Sequence, residues 1–268
     1  MYVTARGGME ICMKIDAVIN IIRETDKIFF NDEFRLDVRE KGDSDFVTRA
    51  DLEVSEYLRG RLSECYPDVG FISEEDEWEN RAREGSYWIL DPVDGTTNFM
   101  HALPLCCISL ALYESGEVTL GIIYSPYTNE LFYATKGGGA FLNGNPIRVS
   151  EHEELCDCVG LFEFNAYYKN ESAAALRHAE KIYLACQDIR TLGSAALEFA
   201  YVACGRADVY LGRYLKPWDF AAGMIIIEEA GGRVGGLLQD PDLFEYRQHV
   251  ISANSRAFEK FKSLLLED

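Results

Sequence analysis

Between residues 106 and 147 the sequence repeatedly spells short strands. The runs "CCISLALY", "VTLGIIY", "ELFYAT" and "GAFLNGNPI" are joined by Glu-Ser-Gly, Ser-Pro-Tyr-Thr-Asn and Gly-Gly-Gly. Each run has the length and apolar content of a strand, and each joint carries turn-forming residues. Asn143-Gly144 is a hairpin pair, since both residue types accept the positive φ that a two-residue turn requires. A β-meander therefore occupies the middle of the chain. The segments on either side must cover a sheet.

Those segments return to helical spacing. Ile15, Val18, Ile19 and Ile22 predict an amphipathic helix within residues 11–30. Leu52, Tyr57, Leu58 and Leu62 predict a second, in "TRADLEVSEYLRGRLSECYP", with Pro67 beyond its end. "REKGDSDF", from Arg39, reads as a polar loop. "VGFIS" and "YWILD" read as short strands, the latter buried because it is apolar until its last residue. After Ser150 the elements alternate. Strands are expected near Val159, over 207–211 and at "HVISAN". Helices are expected over about 172–186, 194–204 and 219–230, and from Arg256, with a glycine-rich turn before the last strand. The fold class is α/β (α+β). Residues 1–150 form one half and 151–268 the other, packed as one body.

Charge restricts the partners. The 268 residues carry a formal net charge of -19. Such a surface repels nucleic-acid polymers and anionic membranes. An anionic substrate would also be repelled unless its site holds a cation of its own. No apolar run reaches the roughly 20 residues of a membrane span. "MYVTARGGMEICMK" is broken by charge and carries no cleavage pattern, so it does not read as a signal peptide. Cys106 and Cys107 are adjacent and Cys156 and Cys158 are one residue apart, neither being a zinc spacing. Reduced thiols in a cytoplasmic protein are expected.

The chemistry concentrates in "WILDPVDGTTNF", residues 88–99. Asp91 and Asp94 flank Pro92 at the end of a strand. Glu74 follows the strand "VGFIS", and Asp219 opens the helical pattern "WDFAAGMIIIEEAGG". Two carboxylates about 4 Å apart repel by roughly 4 kcal/mol at an effective dielectric near 20. A cluster of four demands protons or a cation. Oxygen ligands suit Mg²⁺, Mn²⁺ or Ca²⁺ rather than zinc. If Gly95, Thr96 and Thr97 open a helix, their N–H groups can cradle a phosphate. Carboxylates for a metal beside an anion cradle are the requirements of phosphate-ester hydrolysis. Thr96 is a candidate to position the attacking water if an acid orients its hydroxyl. Asp51, in "DFVTRAD", is the candidate acid, although on sequence alone it reads as a solvated charge on a helix face.

"DFVTRAD", "GFISEE", "WILDPVDGTTNF" and "PWDFAAGMIIIEEAGG", in that order, resemble the inositol monophosphatase family of metal-dependent sugar phosphatases. The likeness spans nearly the whole chain. It implies a layered αβαβα sandwich and a Mg²⁺-dependent phosphomonoesterase, usually a homodimer, with two to three Mg²⁺ per site. It implies that Glu74, Asp91 and the Val93 carbonyl hold one cation. Asp91, Asp94 and Asp219 would hold another, and Glu74 would face a third through waters. It further implies that Thr96 and Asp51 position the water and that the N–H groups of Gly95 and Thr96 bind phosphate. "LGSAA" resembles the family's sugar-side loop, so Ser194 and Ala195 are expected to line the substrate pocket. Lys41 matches a lysine near the third metal.

One position departs from the pattern. Inositol-specific members carry a glutamate seven residues before the last metal aspartate, and this chain has Gly212, followed by Arg213. An arginine facing the pocket would meet a second phosphate. The departure leaves the phosphatase chemistry intact but weakens inositol as the substrate; inositol monophosphate or a similar small polyol or sugar phosphate remains the first expectation. The alternatives are fructose 1,6-bisphosphate, histidinol phosphate or a nucleotide 3′-phosphate. A catalytically silent regulator would have little reason to retain Asp51, Glu74, Asp91, Asp94, Thr96 and Asp219 together.

Overall fold

The computed structural model describes residues 2–3, 13–42, 45–76 and 84–267. The expectation for the N-terminal segment falls mostly outside them, as does the side chain of Lys41. Two sheets and three helical layers alternate. The larger sheet has seven strands, in the order Asn145–Pro146, Gly139–Leu142, Glu130–Thr135, Glu117–Ser125, Cys107–Glu114, Ser86–Asp94 and Gly70–Ser73. All neighbours are antiparallel except the last pair. The smaller sheet runs Asp188–Arg190, Val159–Phe162, Val209–Leu215, Gln248–Asn254 and Gly232–Gly236.

The apolar pattern explains the layering. In the strand Ser86–Asp94, Ile89 faces the middle helices, whereas Trp88 and Leu90 face the outer ones. A strand buried on both faces must be apolar at consecutive positions, which is why "WIL" shows no alternation. The outer layer is formed by the helices Ile15–Arg23 and Arg49–Cys65, whose Val18, Ile22, Val54, Leu58 and Leu62 are buried against Trp88, Leu110 and Ile122. The helices Ala195–Ala203 and Pro217–Glu229 fill the middle, joining Ile123 and Phe132 of one sheet to Leu161 and Val250 of the other. On the far side, the helices Ser172–Ala185 and Phe258–Leu266 bury Ile182, Phe261 and Leu265 against Val209 and Ile251. The result is an αβαβα sandwich. No described helix is long and apolar enough to cross a membrane.

The meander forms as its turns predict, with Asn143 at φ 50° and Gly144 at φ 81°. Two expectations change. The polar segment from Arg39 is a hairpin rather than a loop, pairing Val38–Gly42 with Asp45–Thr48. The glycine-rich turn after residue 230 is instead the edge strand Gly232–Gly236. Both lack the apolar alternation that marks a strand, because neither strand lies deep in the core. The seven described cysteines are all free, four of them buried.

Candidate active site

The aspartates in and behind the cleft are each held by backbone N–H groups, most of them local. In the strand Ser86–Asp94, Pro92 has no N–H to give to the ladder, and the register with the neighbouring strand shifts between Asp91 and Asp94. Asp91 Oδ1 accepts the Val93 N–H at 3.0 Å. Asp219 is the third residue of the helix Pro217–Glu229, and its Oδ2 accepts the Lys216 N–H at 2.8 Å. Asp51 plays the same part in the helix Arg49–Cys65, where its Oδ2 accepts the Thr48 N–H at 2.8 Å. Asp51 is buried, so it is not the solvated helix-face charge that its sequence context suggests. Asp94 Oδ2 accepts the Ala196 N–H at 2.8 Å and the Ser194 hydroxyl.

These devices surround one cleft of about 270 Å³, lined by Glu74, Asp91, Val93, Asp94, Gly95, Thr96, Ala195 and Asp219 among others. Gly95 caps the short helix Thr96–Met100 at φ 87°. A Cβ there would lie 2.9 Å from the Leu105 carbonyl oxygen and 3.1 Å from that of Gly193, so the turn admits only glycine. The Thr96 hydroxyl lies 3.1 Å from the Val93 carbonyl and 3.4 Å from Asp51 Oδ1, just behind the cleft. The Asn98 amide donates to the carbonyls of Leu105, Leu192 and Gly193, tying this turn to the Leu192–Gly193 loop.

Burial governs the electrostatics. It raises the Asp91 carboxyl well above its ordinary range, reinforced by Glu74, Asp94, Asp219 and Asp51. Asp219 is also raised well above that range, first by burial, against the opposing charge of Lys216. Asp94 rises to about 6, burial outweighing the hydrogen bonds from Ser194 and Ala196. Asp51 rises to about 7 for the same first reason. Three such acids around the cleft, with Asp51 behind Thr96, are satisfied either by protons or by cations.

Three expected residues stand elsewhere. Ser194 is buried under the cleft, where its hydroxyl fixes Asp94 instead of lining the pocket. Gly212 does not line the cleft, because a bulge between Gly212 and Leu215 folds Leu215 back over it. A Cβ on Gly212 would clash with Leu215 Cδ1 and lie 2.7 Å from the Tyr210 hydroxyl. Arg213 points away from the cleft. It is 2% exposed, packs over the Tyr214 ring, and feels His178, His249 and Glu171, none of which lines the cleft.

Two cleft residues escaped the sequence reading. Lys216 Nζ lies 3.6 Å from Glu74 Oε1. Its signal was its place three residues before Asp219, at the mouth of the helix. Glu163 lines the wall beside Asn165 and Ala166. Its signal was a lone acid ending the apolar strand Val159–Phe162.

A layered α+β sandwich with a carboxylate-lined cleft beside a glycine–threonine turn defines the class: a hydrolase of the phosphatase type. A model of the inositol monophosphatase family matches residues 11–267, and the chain belongs to that family. A Thermotoga maritima protein named fructose-1,6-bisphosphatase/inositol-1-monophosphatase is 41% identical over 223 residues, covering 82% of this chain and 84% of that protein. An inositol-1-monophosphatase of Rhizobium meliloti is 40% identical over 207 residues, 76% of each chain. The crystal structure of extragenic suppressor protein suhB from Bartonella henselae superposes with a TM-score of 0.87 at 32% identity, covering 94% of this chain and 98% of that one. The chain is thus a phosphatase.

Proposed function

We propose that the protein is a Mg²⁺-dependent phosphomonoesterase of inositol monophosphate or a similar small polyol phosphate. The observation that carries this reading is the grouping of Glu74, Asp91, Asp94 and Asp219 around one cleft beside the Gly95–Thr96 turn. The donor set fits Mg²⁺. Asp91, Asp94 and Asp219 each have one oxygen fixed by a backbone N–H, which leaves the other for a cation. Among the described residues no three His, Cys, Asp or Glu side chains are drawn together as a metal ion would hold them. Mg²⁺ keeps several waters and takes few protein ligands, so carboxylates spaced around the cleft are compatible with it.

Glu74, Asp91 and the Val93 carbonyl would hold one cation, and Asp91, Asp94 and Asp219 another. Bound Mg²⁺ supplies positive charge for the phosphate oxygens and acidifies a water. The N–H groups of Gly95 and Thr96 hold the phosphate. The Thr96 hydroxyl accepts a hydrogen bond from the attacking water and passes its own proton toward Asp51. An acceptor that titrates near 7 is matched to that task at neutral pH. The protein acts in the cytoplasm as a homodimer under this reading.

A second reading, fructose 1,6-bisphosphatase, is favoured by Lys216, a cation in the cleft suited to a second phosphate. Phosphate release from inositol 1-phosphate, fructose 1,6-bisphosphate, histidinol phosphate and a nucleotide 3′-phosphate, with and without Mg²⁺, tests both. Release from none of them, with Mg²⁺ present, would exclude the phosphatase mechanism.

A further inference from the structure

The cleft contains a carboxylate that the metal chemistry does not use. Glu163 follows the strand Val159–Phe162, and its N–H donates to the Leu211 carbonyl at 3.1 Å, continuing the parallel ladder. It therefore stands beside Gly212, one strand across, where Gly212 itself has no side chain to offer. Its Oε1 accepts the Asn165 N–H at 3.2 Å. Its Oε2 has no hydrogen-bond partner among the described residues.

Behind it lies a second acid. Glu198 is fully buried, its Oε1 accepting the Leu192 N–H at 2.7 Å. Burying Glu163 near Glu198 is unfavourable, and burial raises the Glu163 carboxyl to about 7. Packing alone would be met at lower cost by an amide or an apolar side chain. Around it the wall joins apolar and backbone surface, Ala166, Gly193, Ala195 and Leu215, to Asn165, whose amide donates to the Arg213 carbonyl, and Lys216, which faces Glu74. A small molecule whose phosphate rests on Gly95 and Thr96 presents its alcohol part to this wall.

We propose that Glu163 is a specificity-determining residue, whose carboxyl hydrogen-bonds the hydroxyls of the substrate's polyol part. This deepens the phosphatase reading and rests on it. The ligand class is a phosphate ester with hydroxyls close to the ester carbon. An ester without hydroxyls leaves Glu163 Oε2 without a partner in a half-buried wall, and a site so built discriminates against it.

The test compares kcat/KM for inositol 1-phosphate and phenyl phosphate with Mg²⁺, in wild type and in Glu163→Gln and Glu163→Ala. Glutamine keeps a carbonyl for the Asn165 N–H, and melting temperatures check that the variants fold. The preference for inositol 1-phosphate over phenyl phosphate should fall about 10- to 100-fold in Glu163→Gln, the scale of one charge-assisted hydrogen bond. Glu163→Ala should lose at least as much. If the preference is unchanged in both variants while wild type hydrolyses both esters, the assignment of Glu163 fails and the phosphatase reading stands. If wild type releases phosphate from neither, both fall together.

Discussion

The ammonium of Lys216 and the carboxylate of Glu74 face each other at 3.6 Å across the cleft, both side chains largely buried. Lys216 also lies over the rings of Trp218 and Tyr246. The lysine thus offsets part of the acidic charge before any cation arrives. Lys216→Met should lower the melting temperature in chelator, by roughly 2–4 °C for each kcal/mol lost. It should also enlarge the temperature gain on adding Mg²⁺, because a more negative cleft binds the cation better. Differential scanning calorimetry with and without Mg²⁺ measures both.

Asp91→Asn should do the reverse. The amide replaces a buried carboxyl whose ionisation burial, Glu74, Asp94 and Asp219 all oppose, so the variant should be at least as stable as wild type in chelator. It should lose most of the Mg²⁺-induced stabilisation, which for wild type reaches about 2.7 kcal/mol at a hundredfold excess over Kd. Turnover should drop more than tenfold, a barrier increase of about 1.4 kcal/mol or more.

The pH dependence has a definite sign. The folded-state values of Asp94 and Asp51, about 6 and about 7, lie above the ordinary carboxylate value. The folded protein therefore holds protons that the unfolded chain has released. That contribution to stability is fully present below about pH 4 and is lost as pH rises through 6 and 7. In chelator, Asp94→Asn should flatten the fall in stability between about pH 4 and 7. Cation binding must expel the same protons, so the Mg²⁺-induced temperature gain should be larger at pH 8 than at pH 5.5.

Thr96→Ala should separate chemistry from binding. Its hydroxyl touches Asp51 and the Val93 carbonyl, whereas the carboxylates are held by other groups. Turnover should fall by about 10²-fold or more, the usual weight of a proton-transfer group. The Mg²⁺-induced temperature gain should stay within a few degrees of wild type.

Arg213 belongs to a different experiment from the one its sequence position suggests. It is buried, with Nε and Nη1 unpaired, so Arg213→Met should keep or raise the melting temperature. The ratio of kcat/KM for fructose 1,6-bisphosphate to that for inositol 1-phosphate should not change in this variant.

Much of this was legible in the chain. Consecutive apolar residues in "WILD", helical spacing at Val54, Leu58 and Leu62, and the Asn-Gly hairpin are local signals of burial and turning, and the layers follow from them. The cleft acids were readable because each ends an element. The burial of Asp51 is not legible from its context alone, although Thr48 and Asp51 stand three apart, as a helix cap requires; charge on a helix face is the commoner reason for an acid there, and it was the family resemblance that placed it beside Thr96. The bulge that folds Leu215 over Gly212 has no local signature. It sends Arg213 to the far side of the sheet and leaves Glu163 on the wall, so the neighbour across the ladder mattered more than the neighbour in sequence.

The bonds from Asn98 to Leu192 and Gly193 have a consequence for how the chain could be divided. The turn that cradles phosphate comes from one half of the sequence, and the loop that braces it comes from the other. Asp94 is likewise held by Ser194 and Ala196, about a hundred residues away. A fragment ending near residue 150 would carry Glu74, Asp91, Asp94 and the glycine turn, yet lack the groups that hold Asp94 and brace the turn. Catalytic competence in this molecule depends on both halves, with the two sheets closed on the helices between them. Mixing separately made fragments and watching for phosphate release would report the assembly of the whole sandwich.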